Sequence, residues 1–102
     1  MMSVTLLQFD FPFTGPWGAG MTAAMEDLAQ DIAGEPGLLW KIWTENQDNS
    51  RAGGIYLFAT ADAAEAYRVK HSARLAAFGI TGIVAHTFAV NDALSAITRA
   101  PL

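Results

Sequence analysis

The sequence predicts an α+β fold of the ferredoxin-like type, β-α-β-β-α-β, in which a four-stranded antiparallel sheet carries two helices on one face. Three observations predict it. Apolar residues recur at helical spacing twice, as Met21, Met25, Leu28 and Ile32, and as Ala64, Tyr67, His71, Leu75 and Phe78. Four stretches rich in β-branched and aromatic residues lie before, between and after these two helices. Clusters of Gly, Pro and Asn separate one element from the next.

Residues 4–11 form the first strand, which ends at Pro12. Thr14-Gly15-Pro16-Trp17-Gly18 is a turn, with Pro16 placed to open the first helix. On that helix Glu26, Asp27, Gln30 and Asp31 fall mostly on the solvated side, and Gly34, Pro36 and Gly37 end it. Residues 38–45 form the second strand, 46–50 a polar hairpin connection, and 54–59 the third strand. Gly53-Gly54 reads as a hairpin turn or bulge; it precedes a strand rather than a helix and so is no phosphate cradle. Thr60 is a good N-cap for the second helix, Asp62 suits its dipole, and Gly79 sits where a left-handed C-cap belongs. Residues 80–90 form the fourth strand, and Asn91-Asp92 caps a short C-terminal turn or helix.

Strand alternation sorts side chains by face. Lys41, Trp43 and Glu45 share one face of the second strand, and Trp40 and Ile42 the other. The fourth strand is apolar on both sides, as Val84, His86 and Phe88 against Ala85, Thr87 and Ala89. A sheet apolar on both faces needs cover on both, and face-to-face homodimerisation supplies it most simply.

The composition fits this reading. Apolar residues make up 52% of the 102-residue chain, more than one small domain readily buries, which again favours an oligomer of a single domain spanning residues 1–102. The net charge of −4, with only six scattered Lys and Arg, argues against nucleic acid as a partner. No cysteine is present, and with two histidines a protein-built metal site is not expected. No basic n-region opens the chain and no apolar run reaches the roughly 20 residues of a membrane span. A cytoplasmic protein without a membrane partner is the expectation.

Pro36-Gly37, the strand Leu39-Trp40-Lys41-Ile42-Trp43-Thr44-Glu45, Ala52-Gly53-Gly54-Ile55-Tyr56-Leu57-Phe58 and Lys70-His71-Ser72-Ala73-Arg74-Leu75 together resemble the YdhR family of monooxygenases. Leu6-Leu7-Gln8-Phe9 and Phe13-Thr14-Gly15-Pro16-Trp17-Gly18 add to the resemblance, which covers nearly the whole chain. The resemblance implies a dimeric α+β barrel, a group that holds small cofactor-independent oxygenases of aromatic polyketides and also haem-degrading enzymes. It implies a homodimer with one pocket per subunit, between helices and sheet.

His71 is the sharpest candidate for chemistry. Its spacing from Tyr67, Leu75 and Phe78 turns it toward the sheet, where an imidazole could serve as general base or haem ligand. The structural alternative is a buried histidine satisfied by a carbonyl or carboxylate. Tyr56 could donate to a substrate oxygen, or keep its hydroxyl in water. Arg74, three residues beyond His71, could stabilise an anionic substrate or remain a solvated helix arginine. Lys41 and Glu45 read either as the rim of a cavity or as exposed cross-strand ion pairs. Trp40, Trp43 and Phe9 read as pocket walls or as core and interface packing, with at most one of the two tryptophans in a given pocket. Trp17 reads as part of an aromatic lid, or as a hydrophobic staple for the first helix.

Three functions follow as hypotheses. The first is a cofactor-independent monooxygenase for a small apolar, aromatic or polycyclic substrate, with His71 as base and Tyr56, Arg74 or an indole N–H as oxyanion donors. The second is a haem-binding or haem-degrading dimer with His71 as axial ligand. The third is a dimer that binds an apolar metabolite without turnover.

Overall fold

The computed structural model describes residues 3–102. Its elements run β1 (Thr5–Pro12), α1 (Ala19–Ala33), β2 (Leu38–Asn46), β3 (Arg51–Phe58), α2 (Ala61–Ala77), β4 (Val84–Ala89) and α3 (Asp92–Ile97). The four strands form one antiparallel sheet in the order β2-β3-β1-β4, so β2 and β4 are its edges. This is the ferredoxin-like arrangement the pattern predicts, with one short extra helix.

The register fixes which side chains share a face. Leu7 lies opposite Tyr56, Phe9 opposite Gly54 and Phe11 opposite Ala52, while Lys41 pairs with Tyr56 and Trp43 with Gly54. Leu7, Phe9, Phe11, Tyr56 and Phe58 are buried on this helix-covered face. The side chains of α2 that meet them are Ala64, Tyr67, His71 and Leu75, spaced three and four residues apart. From α1 come Met21 and Ile32, with Met25 and Leu28 partly buried beside them. Burying a side chain of this size contributes about 1.5–3 kcal/mol, so this single layer holds most of the folding energy.

Helix ends follow local chemistry. The Thr60 side chain accepts from the Ala63 N–H at 3.1 Å, capping α2. Asn91 does the same for α3, accepting from Leu94 N at 3.0 Å. Pro16 does not open α1. The chain turns at Gly18, where φ is +56°, and the first turn is bonded by Met21 N donating to Trp17 O at 3.4 Å and Thr22 N to Gly18 O at 3.0 Å.

Two strand boundaries also differ from expectation. β3 starts at Arg51, with Gly53 and Gly54 inside the ladder rather than in a turn before it. A Cβ on Gly53 would sit 2.0 Å from the Phe9 carbonyl oxygen, so the strand needs glycine to pass β1 this closely. β4 starts only at Val84, because Gly79 and Gly82, both at positive φ, keep residues 80–83 out of the sheet. Ile80 and Ile83 pack against the core from that loop.

The opposite sheet face is apolar over one part, while Gln8, His86 and the Asp10–Arg51 ion pair occupy another. Trp40 pairs with Leu57, Ile42 with Ile55 and Leu6 with Phe88. α3 and the tail cover one end of it, where Leu57 is only 1% exposed. Ile42 at 53% and Phe88 at 46% remain open to solvent. No helix of the described residues is long and apolar enough to cross a membrane.

Candidate active site

Between the helices and the sheet lies a cavity of about 40 Å³. Its wall is apolar, with Phe11 and Phe13 from β1 and the loop after it, Met21, Met25 and Leu28 from α1, and Leu75 and Phe78 at the end of α2. Four further side chains give it chemistry: Lys41 and Trp43 from β2, Tyr56 from β3 and His71 from α2. Met21, Met25 and Trp43 also line an outer cleft of about 300 Å³, bounded by Thr22, Glu26, Ala29 and Glu45. These three side chains therefore partition the inner cavity from the cleft.

His71 is 3% exposed and stands edge-on to Phe9, with ring centroids 5.1 Å apart. Its ring stacks on that of Tyr67 at 5.0 Å. Arg74 donates to its Nδ1 from both Nε, at 3.2 Å, and Nη2, at 2.9 Å. The same guanidinium binds Asp31 of α1 through Nη1 at 2.9 Å. A nitrogen that accepts from a guanidinium carries no proton, so the neutral ring must carry its proton on Nε2. Burial, and then the charges of Lys41, Arg74 and Lys70, hold the imidazole down to about 3, so it is neutral at pH 7. Nε2 has no partner among the described residues and is the edge left for the cavity. With Nδ1 taken and Nε2 protonated, the ring can donate a hydrogen bond but has no free lone pair.

Tyr56 and Tyr67 share a long hydroxyl–hydroxyl hydrogen bond of 3.3 Å, and their rings lie 4.9 Å apart. Burial first, and then its tyrosine neighbour, push the Tyr56 hydroxyl far above its ordinary range. Burial likewise raises Tyr67, to about 12. Both phenols stay protonated and can act as donors. Lys41 folds inward beneath them, its Nζ 3.3 Å from the Trp43 ring centroid and 4.6 Å from that of Tyr56.

The remaining candidates fall in different places. Phe9 backs His71 without lining the cavity. Trp17 forms a second layer, edge-on to Phe13 at 5.4 Å. Glu45 is no ion-pair partner of Lys41; its Oε1 accepts from Gly18 N at 2.7 Å, at the start of α1 beside the outer cleft. Arg74 points at His71 and Asp31, which makes it a support for the imidazole rather than a direct ligand of an anion. Trp40 lies on the other sheet face, where its Nε1 donates to Pro101 O at 2.7 Å, so it does not join the site.

Sequence reasoning missed Tyr67 and Asp31 as parts of this network. Tyr67, His71 and Arg74 are four and three residues apart on one helix face, so their adjacency was legible, but Asp31 reaches Arg74 only through the packing of α1 on α2. Among the described residues no three His, Asp or Glu side chains converge as metal ligands would. With Nδ1 accepting from Arg74 and the proton on Nε2, His71 offers no free lone pair to a haem iron, so axial ligation by His71 does not fit this arrangement.

Residues 6–101 match the family model described as "Putative mono-oxygenase ydhR". The chain belongs to the YdhR family. Among solved structures, it is similar to a mutant of SnoaB, a cofactor-independent oxygenase from Streptomyces nogalater, at 18% identity and a TM-score of 0.57, over 89% of this chain and 95% of that one. It is also similar to the haem-free heme-degrading protein Rv3592 from Mycobacterium tuberculosis, at 18% identity and a TM-score of 0.53, over 87% and 93% of the two chains. At this identity the likeness shows a shared fold. No curated protein matches the sequence.

Proposed function

We propose that this YdhR-family protein is a cofactor-independent monooxygenase for a small apolar, aromatic or polycyclic substrate, and that it works as a homodimer joined through the open sheet face. The observation that supports the reading is an apolar cavity lined by a neutral His71, whose Nε2–H has no partner among the described residues, and by Tyr56, a protonated phenol. Such donors stabilise charge that develops on an oxygen, and they are strongest where water is excluded.

In the proposed reaction, loss of a proton leaves a resonance-stabilised substrate anion whose oxygen is held by His71 Nε2–H and Tyr56 O–H. The anion passes an electron to dioxygen, and the resulting radical pair joins to form a peroxide. A second C–H then loses its proton as the O–O bond breaks, leaving a new carbonyl and releasing water. One oxygen atom enters the product and the other leaves as water, with the substrate methylene supplying all four electrons. The reacting edge of the substrate occupies the inner cavity, and its body the outer cleft.

An oxygen electrode tests this with anthrone and dihydroxyanthrone, each with one acidic ring methylene, as probes and no added flavin or metal. The expected result is oxygen uptake with a quinone-type product, reduced about 100-fold or more in His71→Ala. Absence of uptake with either probe overturns the reading. Thermal stabilisation by a probe without product would identify a binding protein instead.

A further inference from the structure

The reaction needs a group that accepts the substrate proton, and the cavity offers few. His71 has no free lone pair, Tyr56 is a protonated phenol, and Arg74 is a guanidinium turned away toward His71 and Asp31. Lys41 is the exception. Resting on the oxygenase reading above, we propose that Lys41 is the catalytic base, its Nζ taking the proton from an acidic C–H or phenolic O–H while His71 Nε2–H receives the oxyanion.

The sheet is built to hold this amine inward. Gly54 lies opposite Trp43 on the helix-covered face, two residue pairs along from Lys41 and Tyr56, with Ile42 and Ile55 between them on the other face. A Cβ at Gly54 would come within 2.6 Å of Lys41 Cε and 3.2 Å of the Tyr56 ring. The missing side chain thus leaves the trough in which the lysine stem lies. Arg51, Arg68, Lys70 and Arg74 each pair with a carboxylate; among the described residues Lys41 has no such partner. The polar groups that face it are Tyr56 from β3 and His71 and Arg74 from α2, none of them an anion, while α1 presents Met21, Met25 and Leu28. Burial, and then the charge of Arg74, lower the ammonium to about 7, which leaves a large share of free amine at neutral pH.

The proton transfer balances within the site. The Nζ lone pair forms the new N–H bond, and the C–H electron pair becomes the enolate whose oxygen rests on His71. The ammonium so formed sits over the Trp43 and Tyr56 rings, whose faces favour the charged form. Its proton passes to the peroxide oxygen, which leaves within water, and the amine is regenerated.

Anaerobic hydrogen–deuterium exchange at the anthrone methylene, followed by proton NMR in D₂O, reads this step without oxygen chemistry. Wild-type protein is expected to accelerate exchange, and Lys41→Met to lose at least 100-fold of that acceleration. Lys41→Arg keeps the positive charge but cannot accept a proton, so it should not restore exchange. Added methylamine should restore part of it to Lys41→Ala, which a purely structural role would not allow. Wild-type acceleration that survives in Lys41→Arg, or no acceleration by folded wild-type protein, overturns the proposal. Exchange without oxygen uptake would keep Lys41 as base and overturn the oxygenase reading alone.

Discussion

The Glu45 carboxylate accepts a 2.7 Å hydrogen bond from the backbone N–H of Gly18, a residue 27 positions earlier in the chain. α1 has no side-chain cap of its own, so this bond from β2 serves the start of the helix in place of one. It ties the outer cleft's two walls together.

Glu45→Ala should therefore loosen the start of α1 while leaving the inner cavity's polar groups in place. A loss of about 1–2 kcal/mol is expected by denaturant unfolding, with faster hydrogen exchange at the Gly18 amide. Turnover of a bound substrate should change less than its apparent affinity, because Glu45 touches the cleft and not the cavity.

The paired glycines of β3 should respond unequally. Gly53→Ala places a Cβ against rigid backbone at Phe9 and should unfold the protein or destabilise it by more than about 4 kcal/mol. Gly54→Ala meets flexible Lys41 and should be milder, about 1–3 kcal/mol. Thermal melts of the two variants check the order, and Gly54→Ala should also push the lysine out of its trough.

Acid should weaken the fold through His71. Its folded value, about 3, lies below the ordinary 6.5, so the unfolded chain takes up a proton that the native state refuses. Stability from this group is complete above pH 6.5 and declines as pH falls toward 3. Lys41 works in the same direction at higher pH, with stability lost as pH falls from 10.5 to about 7. In melting curves, His71→Phe should flatten the decline below pH 6.5 by roughly 2–4 kcal/mol.

The open sheet face should carry self-association. Ile42→Glu places a charge at an exposed position of this face, on the edge strand β2 and away from the cavity. Light scattering behind a sizing column should show a dimer for the wild type and a monomer for the variant, with the far-ultraviolet dichroism unchanged.

Alternation and helical spacing made most of the fold legible. Trp40 and Trp43 parted onto opposite faces as their positions required, and Tyr67, His71 and Leu75 met the sheet as their spacing required. The β3 boundary was misplaced because Gly-Gly ordinarily signals a turn, whereas here both glycines are needed inside a ladder crowded by Phe9 and Lys41. The β4 boundary was misplaced because Ile80 and Ile83 look like strand residues but pack, partly buried, against the core from a loop. For the site, the sequence brought His71 and Arg74 together but did not reveal which nitrogen the guanidinium would occupy. That depends on a rotamer anchored by Asp31, a residue that looks like ordinary solvated helix surface.

The partition between cavity and cleft has a consequence for selectivity. Two of its three side chains are methionines, unbranched and readily reshaped, whereas the far end is a set of interlocked aromatic rings around His71. The pliable end can mould itself to molecules of varied outline, and the stiff end accepts one kind of head group. Discrimination among ligands should thus follow the acidity of the inserted edge far more than the shape of the portion left outside.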